Sequence, residues 1–144
     1  MIDKSSVPTA GQRIGFAFVI FILIAFMVFV NNLQSPYLLF ARNFITQDFD
    51  QCLWAINLSL AVSIFVNFIF MFYYPAWFRH LMQVVMNIFS LVSTFVFYRI
   101  FPLALPSSLF EQLIKGLLIF IMAVTVIGTI VEVALTVRKM ASVR

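Results

Sequence analysis

Residues 14–30 read IGFAFVIFILIAFMVFV, a stretch without one charged or hydrogen-bonding side chain. Extended to Leu33, the run is long enough to cross a hydrocarbon core about 30 Å thick at about 1.5 Å per residue. Lys4 and Arg13 precede it, as basic residues precede the apolar part of a signal peptide. The run is longer than such a core, and the Asn31-Asn32-Leu33-Gln34 that follows offers no small-residue cleavage site. A retained spanning helix over 14–33 is the expectation.

The rest of the chain has the same character. Of its 144 residues 64% are apolar, and nine basic with five acidic residues cannot coat a soluble surface. The mean hydropathy of +1.10 agrees. This is the composition of an integral membrane protein. One cysteine, Cys52, excludes an internal disulfide framework and a cysteine-based zinc cluster. One histidine, His80, excludes a bis-histidine haem held by this chain alone. The formal charge of +4 reads as membrane-flank anchoring, with no nucleic-acid partner expected.

Three more spans follow. Gln34 to Gln51 is mixed, broken by Ser35-Pro36 and carrying Arg42, Asp48 and Asp50, and is read as a short interfacial helix. Helix two is expected over 52–74, opened by a capping box of Asp48 and Gln51. A tight turn from Pro75 to His80 leads to helix three over 81–101, which stops before Pro102. Ser108 and Glu111 form a second capping box opening helix four, over 109–137. The fold expected is all-α: one domain over 1–144, polytopic, with four transmembrane helices in an antiparallel bundle.

Lysine and arginine set the orientation. Lys4, Arg13, Arg79, Arg138, Lys139 and Arg144 fall on one side, and Arg42, Arg99 and Lys115 on the other. Both termini are therefore expected in the cytoplasm, with a bacterial inner (plasma) membrane as the setting. The tyrosines and tryptophans (Tyr37, Trp54, Tyr73, Tyr74, Trp77, Tyr98) all lie near an expected interface, where amphipathic rings settle. The nineteen phenylalanines are concentrated in the spans.

Inside the lipid, the informative residues are polar. Helix three carries Gln83, Asn87, Ser90 and Thr94, and helix four carries Thr125, Thr129, Glu132 and Thr136. Both sets are spaced 4-3-4, which keeps each on a stripe about 60° wide. Helix two adds Ser59, Ser63 and Asn67. Centring each helix in the bilayer pairs Gln83 with Thr136, Asn87 with Glu132, Ser90 with Thr129, and Thr94 with Thr125. Asn67 is expected at the depth of Glu132. The Ser, Thr and Asn members suit interhelical glue. Glu132 suits either a hydrogen-bonded structural acid or a proton-coupled step. Arg79, His80, Arg138 and Lys139 read as a collar for lipid headgroups.

No catalytic residues, metal site or cofactor are expected. His80 and the pair Asp48 and Asp50 fall on opposite sides of the membrane, about 30 Å apart, too far to form one hydrolytic site. The expected function is a small accessory or scaffold subunit of a larger membrane complex, partnered by other membrane subunits or by itself. The alternative is a small oligomeric transporter or proton-coupled carrier working through Glu132 between helices two, three and four. A lipid or quinone held between those helices is a third reading.

Overall fold

The computed structural model describes residues 7–33, 35 and 43–141, apart from the side chain of Lys139. Four helices dominate it: α1 (Ala10–Asn31), α2 (Asp50–Phe70), α3 (Ala76–Ile100) and α4 (Ser108–Ala141). All four are long and apolar enough to span a membrane. No β-strand is present among the described residues.

The helix ends depart from the expected bounds for local chemical reasons. α1 starts before Ile14 because Thr9 and Gln12 form a reciprocal cap. Thr9 Oγ1 accepts from the Gln12 amide at 3.3 Å, and Gln12 Oε1 accepts from the Thr9 amide at 2.8 Å. α3 starts at Ala76 because Pro75 sits at its N-cap, and the Pro75 carbonyl accepts from the Arg79 amide at 3.0 Å. A proline outside the first turn has no amide to lose and opens a helix readily. His80, expected in a turn, is consequently helical.

The two expected capping boxes take other forms. Ser107, not Ser108, accepts from a backbone amide at the start of α4, that of Phe110 at 3.4 Å. The Glu111 carboxylate instead meets Lys115 at 2.6 Å, one turn on. Before α2, the Gln51 side chain donates to Asp48 Oδ1 at 2.9 Å across a 3-10 turn, Gln47–Phe49. Of the segment 34–51 read as an interfacial helix, 34 and 36–42 lie outside the described residues, and over 43–51 the chain forms a turn, a bridge at Ile45, the 3-10 turn and the start of α2.

Helices adjacent in sequence pack on one another: α1 on α2, α2 on α3, and α3 on α4. No comparable packing joins α1 to α4 among the described residues. The four therefore follow one another as a row instead of closing into a ring. α2 lies inside that row and supplies most of the buried apolar side chains, namely Cys52, Ala55, Leu60, Val66 and Phe70. Outer faces stay apolar and uncovered: Ile14 of α1 is 71% exposed, and Phe120 and Ile130 of α4 are each 64% exposed. Such faces are stable only against lipid or another protein.

Both ends of the row are fastened. Where α2 turns into α3, Phe16 of α1 packs on Phe70 and Tyr74 with ring centroids 5.6 and 5.1 Å apart, and Tyr73 packs on Phe78 at 5.1 Å. At the other end, the link after α1 meets the link after α3. Ile45 and Leu103 form an antiparallel bridge. The Thr46 amide donates to the Pro102 carbonyl, and the Ala104 amide to the Phe44 carbonyl, each at 2.9 Å. Phe101 takes a left-handed conformation (φ 43°) to direct the chain into this bridge.

This bridge is testable by cross-linking. In a Cys52→Ser background, Ile45→Cys with Leu103→Cys should form a disulfide under mild oxidation, since bridged partners lie about 4.5–5.5 Å apart. Ile45→Cys with Phe110→Cys should not. The readout is a faster-migrating, reductant-sensitive band.

Candidate functional site

Glu132 is the one acid in the inner part of α4, and its partner decides what it can do. The His80 Nδ1 lies 2.5 Å from Glu132 Oε2. Both side chains are largely withdrawn from solvent, 12% exposed for His80 and 25% for Glu132. Arg79 Nη2 lies 3.5 Å from Nε2 of the same ring, and its guanidinium sits over the Tyr74 ring at 5.5 Å. With the Nδ1 proton donated to the carboxylate, Nε2 remains free to accept from Arg79. The imidazole then bridges a cation and an anion.

Local structure explains why the partner is His80 and not Asn87. α3 begins at Ala76, so His80 is already on the helix, about one turn from its N-terminus. That end of a helix favours a carboxylate through its unpaired amides. Asn87 is two turns further along α3 and is occupied otherwise: its Oδ1 accepts from Gln83 Nε2 at 3.1 Å. The level pairing of Asn87 with Glu132 does not form. Glu132 instead meets a residue two turns nearer the start of α3.

The remaining polar residues of the expected seam turn back on their own helices. Asn67 Nδ2 donates to the Ser63 carbonyl at 2.8 Å, and Thr94 Oγ1 to the Ser90 carbonyl at 2.9 Å. On α4, Thr125, Thr129 and Thr136 donate to the carbonyls of Ile121, Thr125 and Glu132 at 2.8, 2.7 and 2.8 Å. Each hydroxyl is thus satisfied one turn back. Ser90 is exposed. Among the described residues no hydrogen-bonded chain runs along the seam, and of the seam's members Glu132 is the one that bonds across to another helix. Of the expected collar, Arg79 and His80 belong to the Glu132 cluster, Arg138 is exposed, and the side chain of Lys139 lies outside the described residues.

Sequence reading missed a second crossing. Asn31 Nδ2 donates to Asn57 Oδ1 at 2.7 Å, and Asn57 Nδ2 returns a bond to Asn31 Oδ1 at 2.9 Å. Two amides facing each other satisfy one another head to tail, and they join the end of α1 to the second turn of α2. The available signal was an asparagine at the end of one apolar run and another inside the next. Among the described residues, no group of three or more His, Cys, Asp or Glu residues could hold a metal ion. The chain matches no protein-family model, no curated protein and no solved structure.

Two crossings give two stability tests in mixed-micelle unfolding. His80→Ala should cost about 1–3 kcal/mol, the penalty for stranding a partly buried acceptor. Adding Glu132→Gln to His80→Ala should recover part of that loss. At the other crossing, Asn31→Leu and Asn57→Leu should each cost about 1 kcal/mol, with the double variant costing less than the two together.

Proposed function

We propose that this chain is a small accessory or scaffold subunit of a larger membrane complex, without catalysis of its own. The observation that carries the reading is the uncovered apolar surface of α1, whose main packing among the described residues is against α2. A helix held on one side only has its remaining circumference available for a neighbouring subunit. The polar side chains support the same reading, because nearly all spend their hydrogen bonds within their own helices. Such a chain contributes shape and apolar surface.

In this proposal the helices form an antiparallel bundle in a bacterial inner membrane, with both termini cytoplasmic and an interfacial helix following α1. The side with more lysine and arginine then faces inward. His80 and Glu132 lie near the cytoplasmic face, and the Ile45–Leu103 bridge lies near the opposite one.

A second reading rests on a different observation, the Arg79–His80–Glu132 cluster. A carboxylate bonded to an imidazole nitrogen forms a pair between which a proton can pass. A carrier, oligomeric and proton-coupled, would use Glu132 in that way.

Extraction of the endogenous protein in the mildest solubilising detergent, followed by native-gel migration and mass spectrometry, separates the two. A stoichiometric set of other proteins is the expected result, and a homo-oligomer alone overturns the subunit reading. For the carrier, purified protein in vesicles should dissipate an imposed pH gradient, and Glu132→Gln should slow that flux about tenfold, a change of about 1.4 kcal/mol in barrier. An equal flux in the variant removes Glu132 from any such role.

A further inference from the structure

A cavity of about 400 Å³ lies beneath the bridged links, where α1 and the pair α3 and α4 stand apart. Phe26 and Phe29 of α1, Ile56 of α2, Ser93 and Phe97 of α3, and Leu118 of α4 are among the residues that form its walls. Its volume falls within the range of about 300–1,000 Å³ in which small-ligand sites are found. The walls are nearly all hydrocarbon. Thr94, which also lines the cavity, has its hydroxyl committed to the Ser90 carbonyl, and Ser93 is the other polar residue on the lining.

We infer that this cavity holds one acyl chain of a bilayer phospholipid. Water is a poor occupant, because an apolar cavity offers it too few hydrogen-bond partners and stays dry. An empty space is also unfavourable, since the rings around it would forfeit their dispersion contacts. Access is set by the helix arrangement. The bridge between Ile45 and Leu103, both lining residues, lies across the cavity at the end where the two links meet. On the bilayer side, no packing of α1 against α4 comparable to that between neighbouring helices shuts the space among the described residues. A chain therefore enters from the lipid, where phospholipid acyl chains are the abundant species. A quinone ring fits less well, because its two carbonyls would find at most the Ser93 hydroxyl as a donor.

Native mass spectrometry of the purified full-length chain tests this, using phospholipid adducts that survive extensive detergent exchange. The wild type should retain one phospholipid. Leu118→Trp and, independently, Ser93→Phe fill the space from different helices and should each lower the retained fraction about tenfold. Leu117→Trp, at a neighbouring position 55% exposed and off the lining, should behave as the wild type. A lipid-free wild type overturns the inference, as does an adduct undiminished in whichever filling variant folds. Equal loss in Leu117→Trp, or an isoprenoid as the retained molecule, also overturns it.

Discussion

Hydrocarbon offers no partner to a backbone amide or carbonyl, so each such group in a spanning segment must be satisfied inside the protein. Nearly everything in this structure follows from that. The spans are helices because a helix closes its own hydrogen bonds without help from a neighbour. α1 has 22 residues and rises about 33 Å, close to the thickness it has to cross. α4 has 34 residues and rises about 51 Å, which requires tilt or an end outside the hydrocarbon. Its first turns, with Glu111, Gln112 and Lys115, have the polarity to emerge.

The same constraint governs the places where the helices stop. The links after α1 and after α3 satisfy each other's backbone through the Thr46–Pro102 and Ala104–Phe44 bonds. Pro102 can stand there because the bridge uses its carbonyl and makes no demand for an amide. Phe101 carries the conformational cost, and its ring lies 4.7 Å from the Lys115 ammonium. A cation over a ring face is stabilising, by about 0.5–1 kcal/mol where exposed, which helps offset the left-handed backbone. Among the described residues, the Thr46 hydroxyl is buried in this region without a partner.

What the sequence made legible follows the same division. Apolar length marks a span directly, so four spanning helices could be read without a structure. Helix starts were harder because they depend on which of several polar residues captures the first amides. Thr9 with Gln12 does so, whereas Ser108 with Glu111 does not, since Lys115 competes for the carboxylate. The partner of Glu132 was illegible for a related reason. Centring each helix on its apolar midpoint assumes both sit symmetrically in the bilayer, and a 34-residue helix beside a 25-residue one need not. Once Pro75 opens α3 early, His80 gains a helical position, and a charged or ionisable partner outcompetes an amide for a carboxylate. Asn31 lies inside the expected span of 14–33, but nothing in its position along the apolar run marked Asn57 of the next helix as its partner.

The row of helices then explains why the polar crossings fall where they do. Among the described residues α1 packs mainly on α2, and two fastenings to α2 and the turn beyond it hold it there: the Asn31–Asn57 amides at one end and the Phe16 ring contacts at the other. α4 likewise packs on α3, with the His80–Glu132 pair joining them at the end marked by Phe16. Between α1 and α4 nothing comparable exists, and there the protein presents apolar walls to the bilayer. Lipid tails are as apolar as leucine, so no hydrophobic force draws those two helices together. Closing the gap would require small residues or a third polar crossing on facing surfaces. The outward faces carry large side chains instead, Phe18 and Phe21 on α1 and Phe120 and Ile127 on α4, all exposed. An open row is therefore the arrangement this sequence favours, and whatever fills its open side must be hydrocarbon or another protein's apolar surface.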